Sequence, residues 1–536
     1  MKKIICCFIF LFLFSNHSFS QPPQQWIANY NGTANQLDYG RAIQIDNKGN
    51  VFIAGTATNN GTTKDIVVVK YSSQGIEQWV GSYNGTADLD DWAYGLVIDA
   101  EGNAYATGFT TTDSSGKDFV TVKFDSSGNF EWAKQYNGSA NLDDMAAHIA
   151  IDLWGNVAIT GISKGLGTGG DYATIKYDSQ GNELWVMRYD GPASGIDDAR
   201  TIAADQWGNF YVSGGSTGDS SDYDFATTKY DSLGNEKWVM RYNGSGNDYD
   251  LVYYQGSLVV DSSGNVYVTG YSTGLDSTLD YATIKYDSSG NEQWVKRFFS
   301  EPGKTEYADA IAIDDSLNVY VTGASFISGQ DFDFATVKYD RDGNQKWVSY
   351  YNGTGNAWDE AYGIVTDDSF NIFIVGRSLD STESADFVTI KYLPNGIQDW
   401  EIRYNHHNYD WPFNIRLSDD NNIYVGGFTA TPGGLTDFAV IKYGYFPVGI
   451  NDPDGTNEFE ISPNPTDNFL IVKNILLQNE PFTICVFELS GRVVLIRDVL
   501  ENEESLKLDC SSLQSGIYFL QINSAENIQT LKFVKM

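Results

Sequence analysis

Apolar and polar residues alternate along most of this chain in short runs, each closed by a turn rich in Gly, Asn and Asp. The stretch from Asp197 to Gly244 shows one unit of the pattern. Ala199 to Asp205 (ARTIAAD) is a short apolar strand, and Phe210 to Gly214 (FYVSG) is a second. Asp224 to Asp231 (DFATTKYD) alternates with the period of two that a pleated strand requires, and the strand EKWVMRYNG follows. The turns between them, such as Asp231-Ser-Leu-Gly234-Asn235, place an Asp to accept bonds from the turn backbone. They also place a Gly where φ is positive. Helical periodicity is absent.

The unit repeats. Trp stands at 26, 79, 132, 185, 238, 294, 347 and 400, so the spacing is 53 residues except for a single 56. Lys70-Tyr71 and its equivalents keep the same beat to Lys442-Tyr443. Four short strands per unit of this length predict the blades of an all-β, eight-bladed β-propeller. The mature chain opens on a Trp strand, Gln25 to Asn31, and the last repeat ends at Asp437 to Tyr443 without one. The first strand is therefore expected to complete the last blade and remove its open edge. The repeated Trp is expected to fill the gap between neighbouring blades.

With the strands lettered a to d from the channel outward, the a–b and c–d turns are tight and lie on one face. The d–a and b–c loops lie on the other. Each b–c loop holds nine residues between its Gly and Asp, from Gly55–Asp65 to Gly427–Asp437, and the three extra residues of the 56-residue unit fall around Asp248 to Tyr254. An acid recurs at the start of strand a: Asp38, Asp91, Asp144, Asp197, Glu306 and Asp359, with Asp250 and Asp410 slightly out of register. Eight such acids are expected to ring one channel mouth and attract a cation such as calcium, or a basic group. The competing reading is that each Asp satisfies N–H groups of its own loop. His148 is placed in strand a, facing the channel or the core. His406-His407 lies on the least repeat-like d–a loop, beside Asp410, and is a weak metal candidate.

Composition narrows the partners. Lys2 and Lys3, an apolar run from Ile4 to Phe14 and Ser18-Phe19-Ser20 predict a signal peptide over residues 1–20, cleaved near Ser20-Gln21. No later stretch is long and apolar enough to span a bilayer. The chain has 34 basic and 70 acidic residues, a net charge of −36, so nucleic acid and anionic membrane surfaces are poor partners. Cys485 and Cys510 survive leader removal, either as a pair or as two buried thiols. G-x-S-x-G, H-E-x-x-H and P-loop motifs are absent, and acid pairs such as Asp90-Asp91 and Asp197-Asp198 recur in too many blades to single out a catalytic one.

The units KYDSSGNEQW, GNVYVTGYS and DYATIKYD resemble the SBBP beta-propeller repeats of secreted bacterial proteins, over roughly residues 25 to 445. That resemblance implies fold and extracellular use. Tyr-Asp-x-x-Gly-Asn-x-x-Trp is also similar to the tryptophan-docking motif of eight-bladed quinoproteins. Those enzymes use an adjacent cysteine pair, and here the only one is Cys6-Cys7 in the leader. Beyond Phe446 the repeat stops. Residues 447–457 read as a linker after a propeller over 21–446, and 458–536 form a separate domain. Ile461-Ser-Pro-Asn-Pro465, the stretch from Leu513 to Leu520 (LQSGIYFL) and Lys532-Phe-Val-Lys-Met536 closely resemble the type A sorting domain of the type IX secretion system. The resemblance implies a small immunoglobulin-like β-sandwich that engages the secretion machinery. The expected protein is a monomeric, secreted or cell-surface binding module for a glycan, peptide or protein. A quinoprotein-like or carbohydrate-active enzyme is the alternative. No cofactor is expected apart from the calcium already considered.

Overall fold

The computed structural model describes residues 21–444 other than 330, 383, 407 and 408. It also describes 460–535 other than 464–465, 467, 474–481, 489–492, 500–504, 512, 515 and 524–527. The leader expected over 1–20 and the linker over 447–457 lie outside the described residues. The chain divides into a unit spanning Gln24–Gly444 and a second that contains the C-terminal domain.

Within the first unit the strands assemble into eight antiparallel sheets of the β-propeller type. Asp197–Ala204, Phe210–Thr217, Tyr223–Tyr230 and Glu236–Tyr242 form one of them, paired in chain order. Strands b and c are buried on both faces because a neighbouring sheet packs against each side. Val51, Phe52, Ile53 and Ala54 are all at most 1 % exposed. Each hydrophobic cluster therefore mixes two consecutive sheets, as where Phe52, Ile66 and Val68 meet Ala104, Val120 and Phe124.

The repeated Trp clasps one sheet to the next. Trp79 packs edge-on against Phe52 and tilted against Phe124 of the following sheet, with centroids 5.9 and 6.4 Å away. Its Nε1–H donates to the Ser126 carbonyl in that sheet's c–d turn at 3.1 Å. Seven of the tryptophans make the equivalent bond at 3.0–3.3 Å. The turn glycine serves twice. Gly128 holds φ at +85°, and a Cβ there would lie 2.6 Å from the Trp79 ring. Glycine is required both for the backbone and to seat the indole.

Closure follows the expected route. Gln24–Tyr30 pairs antiparallel with Thr436–Tyr443, Ala28 opposite Val440 and Tyr30 opposite Phe438. The last sheet thus takes its outer strand from the N-terminus. Across the same seam Asp38 N–H donates to the Thr436 carbonyl at 2.7 Å, and Asn414 Nδ2 donates to the Arg41 carbonyl at 3.0 Å. In the fifth sheet the innermost strand is split into Asp250–Leu251 and Leu258–Val260, and the residues between them leave the ladder.

In the second unit a three-stranded sheet (Glu460–Ser462, Phe469–Lys473, Ser505–Asp509) accompanies a four-stranded one. The latter is built from Val493–Val499, Phe482–Glu488, Gly516–Asn523 and Ile528–Lys535. Leu470, Val472 and Leu506 of the first share one core with Ile484, Val486, Leu520 and Phe533 of the second, which makes the domain a β-sandwich. Cys485 and Cys510 are both buried and are not bonded to each other.

The closing strand carries Trp26, whose Nε1 donates to Ser73 at 3.0 Å and whose ring seats on Gly75. Trp26→Ala is expected to cost about 2 kcal/mol, since the ring is half-buried and its loss leaves a gap at the seam. A urea unfolding series on the mature chain measures the loss.

Candidate functional site

The recurrent acids, expected at the channel mouth, are buried among their own loops and do not line the cavity. Asp38, Asp91, Asp144, Asp197, Asp250, Glu306, Asp359 and Asp410 are all 0 % exposed. Each accepts bonds from its own d–a loop. Asp38 receives the N–H groups of Gly32 at 2.5 Å and Thr58 at 2.9 Å, and Glu306 receives Ser300 N–H at 3.2 Å. The carboxylates thereby fasten each loop to the end of strand b, because a buried N–H must find an acceptor. Burial pushes the carboxyls of Asp38, Asp91 and Asp359 up to about 6 and that of Glu306 up to about 7. Among the described residues one group of acids, Asp171, Asp190 and Asp197, brings oxygens within 4.8 Å of one another. Arg188 already pairs with Asp171 there at 2.6 Å. His406 is likewise engaged: its N–H donates to Asp410 at 2.8 Å and its Nδ1 lies 3.0 Å from the Ala430 carbonyl. His407 lies outside the described residues.

The channel is lined instead by positions that vary between repeats. Strand a opens on a four-residue frame whose first and third positions are buried and nearly constant, as in Asp91-Trp92-Ala93-Tyr94 and Asp359-Glu360-Ala361-Tyr362. At the fourth position the ladder skips a residue. Gly40 pairs with Gly55 and Ala42 with Ala54, which leaves Arg41 bulged. Seven sheets carry this bulge, at Arg41, Tyr94, Ala147, Arg200, Asp309, Tyr362 and Phe413. A bulge re-aims one side chain out of the sheet's alternation. It also explains the strand-b glycines, since a Cβ on Gly108 would lie 1.8 Å from the Trp92 carbonyl oxygen.

The fifth sheet has an insert where the others have a bulge. Tyr253, Tyr254 and Gln255 leave the strand and reach across the channel. Gln255 Nε2 donates to the carbonyls of Tyr94 at 3.1 Å and Ala147 at 2.6 Å, in the second and third sheets. Thr201 of the fourth sheet donates to the Gln255 carbonyl at 2.7 Å, and Ile311 of the sixth donates to that of Gly256 at 2.9 Å. Four sheets hold the insert.

What remains open beside it is a cavity of about 730 Å³ between the starts of the inner strands. Its walls include Tyr39, Arg41, Tyr94, His148, Arg200, Trp411, Phe413 and Arg416. Trp411 stacks on Phe413 and on Tyr362, with centroids 6.1 and 5.9 Å away. The Arg377 guanidinium covers the Trp411 ring at 4.1 Å and pairs with Glu360 at 3.0 Å. Arg41 lies 4.5 Å over Phe413, and Arg200 pairs with Asp198. Burial lowers His148 to about 4, and its Nδ1 accepts Ile202 N–H at 3.1 Å, so the neutral ring carries its proton on Nε2. Asp309 is buried beneath the insert with both oxygens unpartnered. Burial and the Glu360 charge raise its carboxyl well above the ordinary range. The cavity thus offers ring faces, guanidinium donors and a neutral imidazole, a set suited to holding a ligand. Apart from His148 these residues were not singled out from the sequence, although the signal was present: they are the positions that differ inside an otherwise constant frame.

Residues 460–536 match the family model of the secretion system C-terminal sorting domain, and residues 252–276 match that of the beta-propeller repeat. The chain carries an SBBP-type propeller repeat and a type IX secretion sorting domain, and the sorting domain implies a secreted or cell-surface protein. A comparison with curated proteins finds none that matches. Among solved structures, similarity extends to a protein of unknown function from Dyadobacter fermentans (9 % identity, 78 % of this chain, 98 % of that one, TM-score 0.39). It extends also to an apocarotenoid oxygenase mutant from Synechocystis (10 % identity, 74 % and 96 %, TM-score 0.38). A quinoprotein alcohol dehydrogenase-like protein from Bacteroides thetaiotaomicron gives 16 % identity over 58 % of this chain and 65 % of that one, with TM-score 0.33.

Glu306 yields a pH test. Its folded pKa of about 7 stands above its ordinary 4.5, so the folded state binds the proton more tightly and stability falls as pH rises through that window. Glu306→Gln removes the titration. The unfolding free energy of the variant should lose less than that of the parent between pH 5 and pH 8, by on the order of 2 kcal/mol. Urea titrations at the two pH values give the comparison.

Proposed function

We propose that this chain is exported through the type IX system by its C-terminal domain and acts outside the cell as a binding module. Its ligand seats in the central cavity, on the face of the d–a and b–c loops. The observation that carries this reading is the break in symmetry at the channel. A propeller built only for stability has no reason to place five different residue types at seven equivalent bulges, or to send an insert across to four other sheets. Tight, near-constant turns occupy the opposite face. The variable positions, the insert and the cavity occupy this one. Loops and bulges set on a rigid frame are where binding residues concentrate.

Two measurements test the reading. Deleting residues 460–536 should leave the protein inside the cell envelope, with the culture supernatant and cell surface depleted of it. A glycan and peptide array probed with the mature chain should give hits that Trp411→Ala weakens at least tenfold. Leu233→Ala, at an exposed c–d turn of the opposite face, should leave the same hits unchanged. Hits equally insensitive to both substitutions would place binding elsewhere.

A further inference from the structure

We infer that the ligand is anionic, and specifically an acidic saccharide whose carboxylate or sulfate meets Arg41 and Arg416. The inference rests on the cavity being the binding site. Nine arginines lie within Gln24–Gly444. Four of them, Arg188, Arg241, Arg297 and Arg403, occupy one repeat position on strand d and pair with Asp171, Asp224, Asp280 and Asp386 at 2.6–2.7 Å. Arg200, Arg341 and Arg377 also have carboxylate partners. Among the described residues no ion pair joins Arg41 or Arg416 to a carboxylate: Arg416 bonds to Gln44 and the Ile415 carbonyl, the Arg41 guanidinium lies over Phe413, and both line the cavity.

Their surroundings make this unusual. Acids outnumber bases two to one, so a guanidinium without a carboxylate is not a matter of supply. Arg416 spends its Nε on Gln44 at 3.3 Å and one terminal nitrogen on the Ile415 carbonyl at 2.9 Å. Arg41 has a buried Nε with no partner and lies over Phe413. The two sit together at the closing seam: Asn414 donates to the Arg41 carbonyl, while Gln44 of the first sheet accepts from Arg416 of the last. Uncompensated buried charge is costly unless something pairs with it, and a guanidinium fork fits a carboxylate or sulfate.

Ring faces select the saccharide. Tyr253 and Tyr409 line the cavity while 44 % and 46 % exposed, and Trp411 and Phe413 stack directly beside Arg41. Flat aromatic faces next to a fixed cation suit a sugar ring, whose C–H face stacks while its acid group pairs. The cavity volume falls in the range of small-ligand sites, so it accepts a few rings and not a folded partner.

The test is calorimetry on the mature chain with four probes: tetragalacturonate, sulfated cellotetraose, neutral cellotetraose and tetraglutamate. Tetragalacturonate or sulfated cellotetraose should bind, and cellotetraose at least tenfold more weakly. Arg41→Met should raise the acidic probe's Kd at least tenfold, Arg41→Lys by less, and Arg341→Ala not at all. Thermal melting identifies a variant that fails to fold, in which case Arg416→Gln is read instead. Cellotetraose binding as tightly as the acidic probes, still sensitive to Trp411→Ala, would overturn the anionic assignment and leave the cavity reading standing. Tetraglutamate binding in place of the saccharides would overturn the saccharide assignment. Binding of no probe overturns the inference, and binding indifferent to Trp411→Ala and Arg41→Met overturns both readings.

Discussion

The pairing of Gln24–Tyr30 with Thr436–Tyr443 is the constraint on which the rest depends. Each sheet buries both faces against its neighbours, so an open array would leave two apolar faces and a bare strand edge in water. Closing it with a strand more than 400 residues away in sequence removes the edge and faces both end sheets with partners. The cost is loop-closure entropy, which grows only slowly with length, whereas the face packing gained is a whole inter-sheet cluster. Closure also creates the channel: eight inner strands surround one axis only because the ring has no ends. Arg41 and Arg416 meet because the first and last sheets do.

Within that ring, repetition separates two tasks. Positions that recur in every unit do the same structural work each time. The strand-d Trp seats on a turn glycine of the next sheet, and the first acid of strand a gathers N–H groups of its loop. Positions that change from unit to unit have no shared structural duty. Eight acids at one position suggest a functional ring when only their sign and spacing are considered. Yet recurrence in all eight sheets argues for a task each sheet must perform alone, and burial at 0 % exposure agrees. The bulge positions do vary: Arg41, Tyr94, Ala147, Arg200, Asp309, Tyr362 and Phe413 occupy equivalent places in seven sheets.

Much of the fold was legible because strand alternation, turn chemistry and the Trp period all point the same way. The bulge was not. A one-residue skip in a ladder leaves the apolar pattern of strand a nearly intact, and only its consequence appears in sequence, as the glycine of strand b that must clear a displaced carbonyl. The insert was legible as length, through the single spacing of 56, but its path was not. Gln255 finds its partners 161 and 108 residues away, and no local rule names the carbonyls of Tyr94 and Ala147 as acceptors. The unpaired arginines were hidden for a related reason. The paired arginines find their carboxylates within their own sheets, as Arg188 finds Asp171 and Arg377 finds Glu360, whereas Arg41 and Arg416 are brought together from the first and last sheets, which no local rule foresees.

The charge distribution ties these features together. A body carrying a net charge of −36 repels an anion at long range, which counts against an anionic ligand. Distance decides between the two effects. At physiological salt the Debye length is about 8 Å, so exposed acids on the outer strands and loops are largely screened at the channel. The cavity guanidiniums act at contact, in surroundings from which much of the water has been removed, where screening is weak. Burial has already drawn Arg416 down to about 10, the direction expected of a cation held without a counter-charge. An anion that seats there gains the pairing this protein otherwise withholds. One that meets the outer surface gains nothing. On the proposed reading, the acidic exterior would leave the channel as the place where an anion finds unpaired guanidiniums, and the two opposite charges would serve one selectivity.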